Sequence, residues 1–399
     1  MATRVNEMVE TLNELALGAA SPRRPEGEAA STRTAAQASV FENLFSAARD
    51  FQGPPAGLSP SDAYASVMGG TPYDDAPSAL GAYDHDLVSL PAVGTSPVPL
   101  DVLLSPEGKR VIAEFCDRMV LPQEAAQKRL KDLGLRRAYT DPLLQKGQSY
   151  PKFVRRLAEA NMVDFAHTCT EEVGIFFVVK KDGKRLRLII DARRLNMHFA
   201  EPDYIPLASG SAIGELELGP NEKLYIGHGD MRDAFYHIGL PIELRHLFGL
   251  PRVRAGAVGV THINGRPVAP SCWIRPRLTV IPMGWAHAAW FCQKVHMHLV
   301  SDDALCTSEN YMHDNIPTPD TSRGAHTQYL DNFLAFSSDE RLVREATQSA
   351  MKALVSAGLD VHEIQDSDVH AEVLGWEIDG DRGYVSATRA RRWRLRLAI

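Results

Sequence analysis

Cysteine is scarce. Cys116, Cys169, Cys272, Cys292 and Cys306 are the five among 399 residues, and no two stand at C-x₂-C or C-x₄-C spacing. That argues against a cysteine-based zinc framework, and an odd, scattered set fits a reducing compartment better than a disulfide scaffold. Long apolar runs are missing too; none approaches the ~18 residues of a membrane span. The N-terminus, Met1-Ala-Thr-Arg-Val-Asn-Glu-Met, carries early acids and lacks the apolar stretch of a secretory signal. The expectation is an intracellular protein, cytoplasmic or nuclear, with no membrane partner. An excess of positive charge is also absent: 43 Lys and Arg face 50 Asp and Glu, for a net charge of −7. The deficit is local, because residues 1–100 hold 5 basic and 12 acidic side chains, which leaves the remainder neutral. Within that remainder, Lys180 to Arg194 has seven basic and two acidic residues. A phosphate backbone responds to such a local field rather than to the total.

What is present divides the chain. Residues 1–95 are rich in Ala, Ser, Pro and Gly, as in Ser21-Pro-Arg-Arg-Pro and Gln52-Gly-Pro-Pro-Ala-Gly, and read as a disordered or loosely structured region. Apolar spacing of three and four allows short helices over residues 5–17 and 36–50 within it. The same periodicity predicts helices over 101–120, 122–133, 150–160, 286–299 and 341–357. Gly174-Ile-Phe-Phe-Val-Val-Lys and Arg185-Leu-Arg-Leu-Ile-Ile-Asp flank Lys181-Asp-Gly-Lys, and a D-G turn between β-rich runs signals a hairpin. Leu224-Tyr-Ile-Gly-His reads as a strand ending at Asp230, with a helix starting near Arg232. Residues 301–326 read as loop, and 328–336 as a hairpin with Asp331 at its turn. A last hairpin is expected from 373–378 and 384–386. The alternation suggests an α+β sheet covered by helices on one face.

The chemistry concentrates in two segments, Asp230-Met-Arg-Asp-Ala-Phe-Tyr and Tyr329-Leu-Asp-Asn-Phe. Each puts a carboxylate where an apolar stretch breaks. Either aspartate alone suits a turn or a helix cap. Together, on neighbouring strands, Asp230 and Asp331 could hold a pair of hard divalent cations for phosphoryl transfer.

In order along the chain, five segments resemble those of retroelement reverse transcriptases, over about residues 150–380. Lys180-Lys-Asp-Gly-Lys-Arg-Leu-Arg-Leu-Ile-Ile-Asp-Ala-Arg-Arg-Leu-Asn resembles the fingers hairpin. The stretch from Asp230 to Pro241 resembles motif A. Ile281-Pro-Met-Gly-Trp with Phe291-Cys-Gln resembles motif B. The segment from Tyr329 to Phe333 resembles motif C, usually Y-x-D-D, and Leu374-Gly-Trp resembles the primer grip.

The resemblance implies a right-hand polymerase fold. Residues 96–225 would form a helical segment and fingers, 226–380 a palm, and 381–399 the start of a truncated thumb. It implies two Mg²⁺ ions, replaceable by Mn²⁺, held by Asp230, the Met231 carbonyl and Asp331, with Asn332 as a further donor. Lys180, Arg187, the Asp233 and Ala234 backbone, Phe235 and Met283 would bind the dNTP, Phe235 excluding a ribose 2′-hydroxyl. Gly284, Gln293, Leu374, Gly375 and Trp376 would meet the primer on its RNA or DNA template. His287, His296 and His298 have no Cys or Asp at ligand spacing and are taken as structural or solvent-facing. The basic run from Arg389 to Arg396 would reach the nucleic-acid backbone. With no room for a full thumb, RNase H or integrase, the expectation is a fragment of a larger polyprotein. Asn332 departs from the pattern by replacing the second aspartate and removing one charge from the metal site. Two alternatives therefore stay open: an inactive remnant that still binds nucleic acid, and an RNA-dependent RNA polymerase, which Phe235 disfavours.

Overall fold

The strand that carries Asp230 near its end is unusual in containing two glycines, and its neighbours explain them. Strand β7 (Tyr225–Met231) lies in a four-stranded antiparallel sheet of order β13-β14-β7-β15, with β13 Ala325–Tyr329, β14 Asn332–Ser337 and β15 Val361–Asp368. Side chains alternate between the two faces of a strand. Gly227, Gly229 and Met231 therefore share one face with Phe333 and Ala335, while Ile226, His228 and Asp230 share the other with Asn332 and Leu334. Two helices, α9 (Ala288–Val300) and α10 (Glu340–Ser356), cover the sheet. Helix α10 packs so closely that a Cβ at Gly227 would stand 2.1 Å from Thr347 Oγ1, and one at Gly229 2.4 Å from Met351 Sδ. The glycines thus let the helix lie against the strand, and Asp230 projects from the opposite face.

Helix α10 forms for local reasons. Its Asp339 cap accepts from the Arg341 amide at 2.9 Å. Val343, Ala346, Thr347, Ala350, Met351 and Leu354 recur at three- and four-residue spacing and are buried. Ion pairs Arg341–Glu345 and Arg344–Glu340 line its outer side. Each fully buried leucine or phenylalanine of such a core contributes about 1.5–3 kcal/mol.

The computed structural model describes residues 80–180, 183–301 and 306–398. The expected helices over 5–17 and 36–50, and the turn residues Lys181 and Asp182, lie outside the described residues. The described residues form a mixed α+β structure within one compact unit. The basic hairpin pairs β5 (Gly174–Val179) with β6 (Leu186–Asp191), as the sequence predicts. Short strands β1 (Leu80–Gly81) and β2 (Val88–Ser89) add to its two edges. Within the region expected to be loose up to residue 95, Leu80–Gly81 and Val88–Ser89 pair with the edges of this hairpin, and the Gly94 amide donates to the Glu159 carbonyl. Two-residue strands have no periodicity of their own to reveal them.

The helix expected over 101–120 is three, Leu100–Leu103, Pro106–Ala113 and Phe115–Met119. Ser105 and Pro106 start a new helix, with Ser105 Oγ accepting from the Gly108 amide at 3.1 Å. A three-stranded sheet joins β4 (Val163–Ala166), β12 (Trp273–Leu278) and β9 (Val253–Arg254). Another joins β16 (His370–Val373), β17 (Trp376–Asp379) and β18 (Tyr384–Ala387), and leads into α11 (Arg389–Ala398). Among the described residues no helix is long and apolar enough to cross a membrane.

Candidate metal and nucleotide site

Asp230 is the penultimate residue of β7, and its cross-strand partner is Asn332. Strands β13 and β14 turn tightly through Leu330 and Asp331 alone, since Tyr329 pairs with Asn332. The Met231 amide donates to the Asp331 carbonyl at 2.8 Å. Two acids a hundred residues apart in sequence are therefore seated side by side on the face of the sheet opposite α9 and α10.

Electrostatics mark the pair as strained. Burial, then the charge of Asp331, then that of Glu363, push the Asp230 carboxyl up to about 8 from the usual 3.8. Burial likewise raises Asp331, although its own backbone amide, Arg187 and Asn332 act against the rise. Arg187 stands exposed on β6, and among the described residues its guanidinium makes no hydrogen bond or ion pair. Asn332 Nδ2 donates to Asp331 Oδ1 at 3.1 Å. His362 Nε2, on the edge strand β15, lies 3.1 Å from Asp230 Oδ1. Among the described residues no group of three or more His, Cys, Asp or Glu side chains surrounds one point as a closed metal cage would. The donor set is two carboxylates, a backbone carbonyl and an amide. That suits Mg²⁺, which is held by one or two carboxylates and keeps its remaining positions for water and phosphate. A bound cation would also remove the repulsion that lifts Asp230.

The turn carrying Asp331 is anchored from behind. Leu330 has a left-handed φ of +54°, a strained value for leucine. Helix α9 holds it at both backbone atoms: the Leu330 amide donates to Gln293 Oε1 at 2.8 Å, and His296 Nδ1 donates to the Leu330 carbonyl at 2.8 Å. Gln293 Nε2 also donates to the Gln328 carbonyl at 2.9 Å. Gln328 Nε2 in turn donates to His326 Nδ1 at 2.9 Å, and His326 Nε2 to the Thr307 carbonyl at 2.8 Å. Gln293 is 0% exposed, so the expected contact with a template–primer gives way to this internal role. His296 is structural, as expected. So is His287, which is 2% exposed among Phe115, Phe199 and Trp285 and is pushed by burial down to about 4.

Of the nucleotide-binding candidates, Lys180 and Arg187 belong to the basic hairpin, and the charge of Arg187 acts on both acids. Lys180 Nζ lies 3.6 Å from Asp233 Oδ1 and donates to Ser89 Oγ at 3.0 Å, so it is already partnered. Asp233, at φ +50°, precedes the helix α8 (Ala234–His237), which has only four residues. One turn has little dipole to offer an anion, which weakens the expected backbone role of Asp233 and Ala234. The Asp233 side chain makes no capping hydrogen bond. Tyr236 ties this turn to β6 by donating to the Leu188 carbonyl at 2.9 Å. Phe235 and Met283 sit partly buried at the edge of the main core.

Gly284 has φ +113°, and a Cβ there would meet the Ile190 carbonyl at 2.3 Å. The close approach that needs glycine is thus to β6 rather than to nucleic acid. Asn196 fixes the same loop, donating to the Gly284 carbonyl at 3.0 Å and accepting from the Ala286 amide at 3.0 Å. The helix beyond starts at Ala288. Leu374 and Gly375 form the two-residue turn of the β16–β17 hairpin, at φ +50° and +75°. Trp376 packs on Gly210, where a Cβ would stand 2.1 Å from its ring, with the Arg391 guanidinium 6.0 Å from the ring centroid. These three belong to a different sheet from the acids. Sequence reasoning missed His362, Ser89 and the clamping role of Asn196. Asn196 ends a quoted motif, but nothing in the polar stretch around His362 announces a strand.

No protein-family model matches this chain. No curated protein matches it either.

Proposed function

We propose that this chain is an RNA-directed DNA polymerase of the retrotransposon type, built as fingers and palm of a right-hand fold. The adjacency of Asp230 and Asp331, with the pKa of Asp230 lifted to about 8 by burial and mutual repulsion, carries the proposal. Such a pair is poised for cations, and phosphoryl transfer depends chiefly on positioning and charge neutralisation. Asp230, Asp331 and the Met231 carbonyl would hold two Mg²⁺ or Mn²⁺ ions, with the Asn332 amide oxygen as a further donor. When bound, these ions lower the pKa of a primer 3′-hydroxyl and neutralise the dNTP triphosphate.

The chain's own residues supply the rest. Arg187, exposed and without an ion pair among the described residues, offers a guanidinium fork to phosphate oxygens. Lys180 exchanges Asp233 for phosphate when a nucleotide arrives. Phe235 lies under the sugar and disfavours a ribose 2′-hydroxyl, while Met283 borders the nascent base pair. Leu374, Gly375 and Trp376 would lie along the primer–template, while Gly284 acts through its packing on β6.

A second assignment, a nucleic-acid-binding protein without catalysis, is favoured by one observation. Asn332 supplies a donor to Asp331 where a second acid would add charge. Primer extension on an RNA template with Mg²⁺ or Mn²⁺ separates the two. The polymerase assignment predicts dNTP addition that Asp331→Ala abolishes, and Asn332→Asp should raise extension several-fold at limiting Mg²⁺. A chain that shifts primer–template on a gel but extends nothing is the binding protein. Extension that survives Asp331→Ala refutes the site.

A further inference from the structure

The sequence from Leu244 to Ser301 contains no Asp or Glu. Within it lies a small module that the acid site does not use. Strand β9, a hairpin of β10 (His262–Ile263) and β11 (Arg266–Pro267), and β12 enclose their own core of Val253, Ala255, Val258, Ile263 and Ile274 with Val154. On β12, Ile274, Pro276 and Leu278 point inward, so Trp273, Arg275 and Arg277 point outward. Both of these arginines are neutralised: Arg277 pairs with Asp164 at 2.7 Å, and Arg275 pairs with Glu172.

The other end of the face differs. Trp273 is 44% exposed, a large aromatic surface to leave in water. Arg254 is its cross-strand partner, with its guanidinium carbon 4.2 Å from the ring centroid, and that of Arg252 lies at 5.1 Å. Among the described residues neither arginine has a carboxylate partner; Arg254 donates only to the Ser271 carbonyl. Arg266 is exposed on the neighbouring hairpin, and Arg155 is exposed on the helix Ser149–Glu159, reaching the Ala257 carbonyl at 2.9 Å.

We infer that the Trp273–Arg252–Arg254 face is a binding site for single-stranded nucleic acid, separate from the paired acids. The indole offers a π-surface on which a base of any identity stacks. The two guanidiniums beside it offer the strand's phosphates charge-assisted hydrogen bonds with no competing carboxylate. A protein partner would be expected to bring acids to this face; a single strand brings both an aromatic ring and the negative charge that the face lacks. The inference is independent of whether the acids catalyse anything.

The test uses the full chain, EDTA and fluorescein-labelled dT₁₅ or rU₁₅, read by anisotropy; the two oligonucleotides distinguish a DNA from an RNA ligand. Trp273→Ala should weaken binding about tenfold, while Trp273→Phe, which keeps a ring, should stay within about twofold. Removing both cations with Arg252→Ala and Arg254→Ala should flatten the slope of log Kd against log salt by about 1.4, at ~0.7 per phosphate contact on a single strand. These guanidiniums are exposed, so that arm stands even if Trp273→Ala disturbs the strand. Arg341→Ala, which removes an exposed cation of α10 paired with Glu345, should leave the affinity unchanged, which separates this face from a general effect of charge. Wild-type affinity in Trp273→Ala together with a wild-type salt slope in the double arginine variant would overturn the inference. So would a change in oligomeric mass by light scattering in place of any effect on dT₁₅, which would assign the face to a protein contact.

Discussion

Replacing Gln293 by leucine probes how the Asp331 turn is held. Gln293 is fully buried, and its amide serves two backbone groups at once: it accepts from the Leu330 amide at 2.8 Å and donates to the Gln328 carbonyl at 2.9 Å. Leucine fills similar volume but serves neither. Each buried group left without a partner costs about 1–3 kcal/mol. Burying the leucine side chain returns about 1.5–3 kcal/mol of that. The expected net loss is about 2 kcal/mol, read as a lower urea midpoint at unchanged slope. Leu330 would also lose one of the two tethers that hold its strained φ. Asp331 should then wander, and a misplacement of about 1 Å suffices to cost ~10²-fold in rate. Because His296 holds the carbonyl of the same residue, Gln293→Leu and His296→Ala should couple by about 0.5–3 kcal/mol in a double-mutant cycle. A Gln293→Leu protein within about 0.5 kcal/mol of wild type, with metal affinity intact, would refute the clamp.

Asp230→Asn should stabilise the metal-free protein at high pH. The folded carboxyl keeps its proton up to about 8, whereas the unfolded one releases it near 3.8, so wild-type stability falls as pH climbs through that window. Thermal melts in EDTA from pH 5 to 9 should show this slope in wild type and a flatter one in the variant. Glu171→Gln should cost about 3 kcal/mol at pH 7, because it leaves Arg194 without its buried partner. Burial would raise Glu171, but hydrogen bonds from His198 and Arg194 outweigh it and hold the carboxyl below 4.5. Its contribution is therefore complete above 4.5 and lost as pH falls through the folded value, so urea titrations should show the gap between wild type and variant closing in acid. Phe235→Ala should cut the preference for dNTP over NTP by at least about tenfold, measured as the ratio of kcat/KM values; an unchanged ratio removes Phe235 from sugar selection.

The elements that hold the acids could be read in advance because their signals are local. Gly183 closes the basic hairpin at φ +67°, and β7 and the β13–β14 hairpin carry apolar runs broken by one acid. What could not be read depends on partners. Strand β15 is a polar edge strand that exists because β7 offers it hydrogen bonds, and it brings His362 to Asp230. Strands β1 and β2 exist on the edges of β5 and β6. The Asn264-Gly265 turn between β10 and β11 was a legible hairpin signal that sequence reasoning passed over, and with it the module bearing Trp273. Gln293 is a polar residue on a helix in either role; only packing tells an amide facing nucleic acid from one facing the core.

The most direct test of the acid pair as a cation site is Mn²⁺ titration followed by electron paramagnetic resonance, with primer–template and an unreactive α,β-imido dNTP present. Wild type should remove Mn²⁺ from the free pool, with Mg²⁺ competing, and Asp230→Ala and Asp331→Ala should each lose that uptake. Equal uptake by wild type and both variants would contradict the site.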